Sequence, residues 1–109
     1  MAAQSSAPSA DLKLVVDSAP AETQVHCSGK ITASTSGALL DQVHDLIPKS
    51  KRIIIDLAQV NYIDSSGLGA IVRLWSSARK SGCDYKITNL QPRIKELLSM
   101  TSLASIFEV

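Results

Sequence analysis

Apolar residues recur with two different periods along this chain, and the change of period falls at residues 64–67. Within the stretch 51–80, Ile53, Ile54, Ile55 and Leu57 make a nearly continuous apolar run. Such a run predicts a strand covered on both faces, as in a parallel sheet between helices. After the junction, Leu68, Ile71, Val72, Trp75 and Ala78 follow helical spacing and draw one apolar stripe. That stripe places Trp75 under the sheet. Between the two patterns lies Asp64-Ser65-Ser66-Gly67. Asp and Ser cap helices because their side-chain oxygens accept bonds from the free N–H groups of the first turn. The junction therefore reads as strand, short loop and capped helix start, with two hydroxyls and a carboxylate where a helix N-terminus faces solvent.

The flanking pattern completes the order. Leu12, Leu14 and Val16 alternate with polar residues and predict a short edge strand. A turn at Ser18-Ala19-Pro20-Ala21 leads to a second alternation, with Val25 and Cys27 on one face and Gln24 and His26 on the other. These two strands form an antiparallel hairpin, and Gly29 is expected to break the second. Ser34, Thr35 or Ser36 caps a helix whose stripe is Leu39, Leu40, Val43, Leu46 and Ile47, and Pro48 stops it. The helix after the junction ends at Gly82, with Arg79 and Lys80 in its last turn. Tyr85 and Ile87, with Leu90, suggest another strand. Pro92 opens a third helix with Ile94, Leu97 and Leu98 on its apolar side. Residues 100–109 read as a closing segment packed on the core.

The order β-β-α-β-α-β-α, with room for a short terminal strand, predicts an α/β fold. Its sheet is mixed but mostly parallel, of about four or five strands, with helices packed on it. Residues 1–10 are small and polar and read as a mobile tail, leaving 11–109 as one domain. The chain has 109 residues, enough for one core, and 45% of them are hydrophobic. A net charge of +1 gives no reason to expect nucleic acid or a membrane surface. No apolar run approaches the roughly 20 residues that span a bilayer, and no signal peptide is legible at the N-terminus. Cys27 and Cys83 are far apart, which argues against zinc and fits two reduced thiols in the cytoplasm. No cofactor is expected.

Four chemistries compete for the Asp64-Ser65-Ser66-Gly67 junction. It can be a plain helix cap, with Gly67 and Gly69 allowing close packing. It can hold a nucleophilic serine, but G-x-S-x-G is absent and the only bases, His26 and His44, read as solvated surface residues. It can bind phosphate at a helix N-terminus, but neither G-x-x-x-x-G-K-[ST] nor G-x-G-x-x-G is present. Or it can be a phosphorylation switch. An exposed hydroxyl at a helix start accepts a phosphoryl group without disturbing the core, and the helix dipole favours the added charge. A partner that packs apolar or acidic groups against that patch is then repelled.

At these residues the sequence resembles a known family. Ile54-Ile55-Asp56-Leu57, followed by Val60-Asn61-Tyr62-Ile63-Asp64-Ser65-Ser66-Gly67-Leu68-Gly69, is similar to the signature of anti-sigma factor antagonists, which belong to the STAS domains. The resemblance runs from about residue 12 to the C-terminus, and its fold agrees with the order above. It implies a regulatory binding protein and not an enzyme. The residue after the motif aspartate, here Ser65, would be phosphorylated by an anti-sigma factor with serine kinase activity. The unphosphorylated form would bind that factor and free the sigma factor, and a separate serine phosphatase would reset it. Asp64 would orient the acceptor hydroxyl, and Ser66, Gly67, Leu68 and Gly69 would belong to the interface. The better-known antagonists carry a Gly-x-Leu-Asp string after the second strand. Here it reads Gly29-Lys30-Ile31-Thr32, which puts Thr32 at the acidic position beside the same surface. The alternative role is an unmodified STAS scaffold in a membrane transport complex or a larger signalling assembly.

Overall fold

A computed structural model describes residues 11–100. The order is β1 (Leu12–Ser18), β2 (Thr23–Ile31), α1 (Ser36–Leu46), β3 (Arg52–Ile63), α2 (Ser65–Ser81), β4 (Asp84–Thr88) and α3 (Pro92–Met100). It matches the predicted β-β-α-β-α-β-α order. The tail 1–10 and the segment 101–109, including its expected terminal strand, lie outside the described residues.

The four strands form one sheet in the order β1-β2-β3-β4. The β1–β2 hairpin is antiparallel, whereas β2–β3 and β3–β4 are parallel. Paired residues share a face, so one face carries Leu14, Cys27, Val25, Ile53, Ile55 and Ile87, all buried. Helices α1 and α2 pack on it through Leu39, Val43, Ala70, Ile71, Leu74 and Ala78. Ile94 and Leu98 of α3 join the same core.

The opposite face corrects the expectation of a strand covered on both sides. Along β3, Ile53, Ile55 and Leu57 are buried, but Ile54 and Asp56 between them are only half-buried. Asp56 explains why that face stays open, because it belongs to a polar group there. Its Oδ2 lies 2.9 Å from His26 Nδ1, and its Oδ1 accepts from Asn89 Nδ2 at 3.1 Å. The same Oδ1 accepts from Ala58 N–H at 2.9 Å, a side-chain turn inside the strand where its register against β2 shifts. Burial pushes the Asp56 carboxyl up, but the Ala58, Asn89 and His26 bonds outweigh it and hold the carboxyl below its ordinary value. His26 is thus not the unpartnered surface histidine that the sequence suggested; His44 is exposed as expected.

Three further expectations change. Strand β2 does not stop at Gly29 but continues to Ile31. Gly29 takes φ +111°, and a Cβ there would lie 2.0 Å from Asp11 O. The glycine therefore bends the strand while Lys30 N–H still bonds Asp11 O at 2.7 Å. On α2 the deeply buried residues include Ile71 and Leu74, each at 1% exposure, but not Trp75. Trp75 is half-buried at the margin, where the Arg79 guanidinium carbon lies 5.2 Å from its ring centroid. Lastly, no loop separates β3 from α2, since the strand runs to Ile63 and Asp64 itself is the N-cap.

Candidate functional site

The site is built where the end of β2, the end of β3 and the first turn of α2 meet. Asp64 is in extended conformation and caps α2: its Oδ1 accepts from Gly67 N–H at 2.9 Å. Its Oδ2 accepts from Ala33 N–H at 3.2 Å, in the loop that follows β2. Its own N–H donates to Ile31 O at 3.2 Å. One residue therefore caps the helix with one bond and ties its start to the 31–33 segment with two more. Asp64→Ala is expected to cost about 1–2 kcal/mol, the range of a lost helix cap. Asp64→Asn, which keeps a cap acceptor, is expected to recover most of it in urea unfolding.

Gly67 makes that junction close. A Cβ on Gly67 would lie 2.2 Å from Ile31 O and 2.9 Å from Ile31 Cγ2, so the first turn of α2 rests on the β2 backbone. Gly69 behaves differently, because a Cβ there would meet nothing within 4 Å. Of the two glycines expected to allow close packing, only Gly67 does so.

The loop before α1 is held by Thr35, which is 1% exposed. Its Oγ1 accepts from Thr32 N–H at 2.8 Å and donates to Lys30 O at 2.9 Å. Thr35 occupies the N-cap position of α1, but its side chain makes no capping bond; it closes the 30–35 loop instead. Thr32 is half-buried, and its Oγ1 lies 3.1 Å from Ser34 Oγ. Thr32 is thus placed one residue from Ala33, which Asp64 holds.

Against this fixed backbone, Ser65 and Ser66 are exposed at the first two helical positions of α2. Among the described residues, no hydrogen bond engages either hydroxyl, and none links Ser65 to Asp64, His26 or His44. Leu68 is half-buried against the core and Gly69 is exposed. On α2, Ser66 and Gly69 are exposed near Ser65 in the first turns, Gly67 is buried against Ile31, and Asp64 holds Ala33 of the preceding loop to the helix start.

The chemistry of this site is that of an accessible hydroxyl on a rigid frame. Among the described residues, no cluster of His, Cys, Asp and Glu could hold a metal ion, and no helix is long and apolar enough to cross a membrane. Both cysteines are free and buried; burial pushes the Cys27 thiol up to about 12, with the Asp56 charge adding to it. Sequence reasoning missed the Ala33 and Thr35 bonds, because they join residues in a loop whose path the pattern does not set. The positive-φ Asn89, which reaches Asp56, carried no signal beyond being a turn residue.

The STAS domain profile matches residues 13–109. The chain is 30% identical over 88 residues to the anti-sigma-B factor antagonist of Bacillus subtilis, covering 81% of each. Its fold is similar to that of an anti-sigma factor antagonist from Mycobacterium paratuberculosis, with TM-score 0.80, 21% identity, and coverage of 91% of this chain and 86% of that one. It is also similar to the antagonist SpoIIAA in its unphosphorylated form, with TM-score 0.74, 13% identity, and coverage of 84% and 83%. The chain belongs to the STAS domain family, among the anti-sigma factor antagonists.

Proposed function

We propose that this chain is a phosphorylation-gated antagonist. In its unphosphorylated form it binds an anti-sigma factor with serine kinase activity, and phosphorylation of Ser65 releases it. A serine phosphatase returns it to the binding form. One observation carries this reading: the Ser65 hydroxyl is exposed on a helix start whose backbone is locked from the other side by Asp64 and Gly67. Modification there adds about two negative charges at the surface while the core contacts stay in place.

The helix N-terminus offsets part of the added charge within the chain. A partner docked on Thr32, Ser66, Leu68 and Gly69 receives no such offset and must desolvate the phosphate. Asp64 acts on Ser65 through the backbone, by fixing the turn that presents the hydroxyl.

The test is phosphopeptide mapping of the protein isolated from its own cells. Trypsin releases residues 53–73 as one peptide holding both Ser65 and Ser66, and fragmentation separates the two positions. Phosphate on Ser65 in a fraction of the chains is the expected result. Phosphate confined to Ser66, or absent under every growth condition, contradicts the reading.

A further inference from the structure

The geometry points to a second interface: the outer edge of β1 pairs antiparallel with the same edge of a second copy of this chain, centred on Val15. Strand β1 ends the sheet, with β2 on one side and, among the described residues, no strand on the other. Two bonds at its ends fix which backbone groups are used. Lys30 N–H donates to Asp11 O at 2.7 Å, and Ala19 N–H donates to Glu22 O at 2.9 Å. Backbone groups alternate sides along an antiparallel strand. Lys13, Val15 and Asp17 therefore turn theirs to β2, while Leu12, Leu14, Val16 and Ser18 turn theirs outward.

The side chains suit a two-fold axis through Val15. Val15 is 49% exposed on the open sheet face, between exposed Lys13 and Asp17. Such an axis sets Val15 against Val15 of the second copy, and sets each Lys13 against the other chain's Asp17. It also sets Leu14 opposite Val16, so the outward backbone groups meet in the same register as the charges. Neighbouring registers lose this match. Centring on Leu14 opposes Asp11 to Asp17, and centring on Val16 opposes Val15 to Asp17. Cross-strand ion pairs and a central apolar pair favour the first register over the other two.

The helices leave room for this pairing. Helix α1 packs on β2 and α2, so the two copies of α1 stand about three strand spacings apart, roughly 14 Å. Asp41 and Asp45 of α1 line the cleft beside Val16 on that covered face, whereas Lys13 and Asp17 meet on the open one.

Two measurements test the interface. Sedimentation should show a reversible dimer. Lys13→Asp opposes two pairs of like charges and should weaken it by about tenfold or more. The swap Lys13→Asp with Asp17→Lys should restore it. In Val15→Cys, the paired positions lie about 4.5 Å apart between Cα atoms, within disulfide reach, and should cross-link on mild oxidation. Buried Cys27 and Cys83 do not compete. A monomer at every concentration, a dimer indifferent to Lys13→Asp, or failure of Val15→Cys to cross-link overturns the proposal.

Discussion

Gly67→Ala is expected to cost about 3 kcal/mol of unfolding free energy, at the upper end for an overpacked site. The added methyl would meet a backbone carbonyl, Ile31 O, at 2.2 Å. No side-chain rotation relieves that contact. Either the first turn of α2 lifts or the end of β2 moves, and both break the Asp64 bonds that join them. Gly69→Ala is the matched control, because it adds the same methyl two residues along the same helix into open space. It is expected to stabilise by up to about 1 kcal/mol through helix propensity. Urea unfolding of the two variants reads both signs. Equal effects would show that the α2 start does not rest on β2.

Leu74→Ala is expected to cost about 3 kcal/mol, and Trp75→Ala about half as much. Leu74 of α2 is 1% exposed in the core, so truncation leaves a cavity that rigid neighbours close only in part. Trp75 is the larger side chain, but it is half-buried and shares its ring with Arg79. Its removal exposes less apolar surface that was dry before. A larger loss for Trp75→Ala than for Leu74→Ala in denaturant unfolding would restore the stripe that spacing alone suggested.

The error over Trp75 shows what periodicity does and does not fix. Leu68, Ile71, Val72, Trp75 and Ala78 do lie toward the core, which is why the helix itself was legible. The centre of the stripe is set by the neighbour α1, through Leu39 and Val43, and no local spacing contains that information. The same limit explains β3. A run of isoleucines reads alike whether one face or two are covered. The His26–Asp56 and Asn89–Asp56 contacts, each joined across thirty or more residues of sequence, show that among the described residues the second face is polar.

The candidate site was legible in its parts and not in its joints. Asp64 as a cap, two exposed serines and Gly82 as the helix stop follow from local chemistry, which each residue carries with it. The clasp from Asp64 to Ala33 and the seat of Gly67 on Ile31 are contacts between segments separated by more than thirty residues. The altered Gly29-Lys30-Ile31-Thr32 string acquires its meaning here. Gly29 bends β2 so that Ile31 and Thr32 arrive under and beside the α2 start. Thr32 follows Ile31 directly and precedes Ala33, whose N–H the Asp64 carboxylate holds.

We propose that charge at Ser65 governs partner binding on an unchanged fold. Affinity capture with three baits tests it most directly: the wild-type chain, Ser65→Ala and Ser65→Asp, each first shown to unfold at the same urea midpoint. A kinase-like protein retained by wild type and Ser65→Ala and lost with Ser65→Asp is the expected result. The same partners held equally by all three baits would contradict it and leave the chain as an unmodified scaffold.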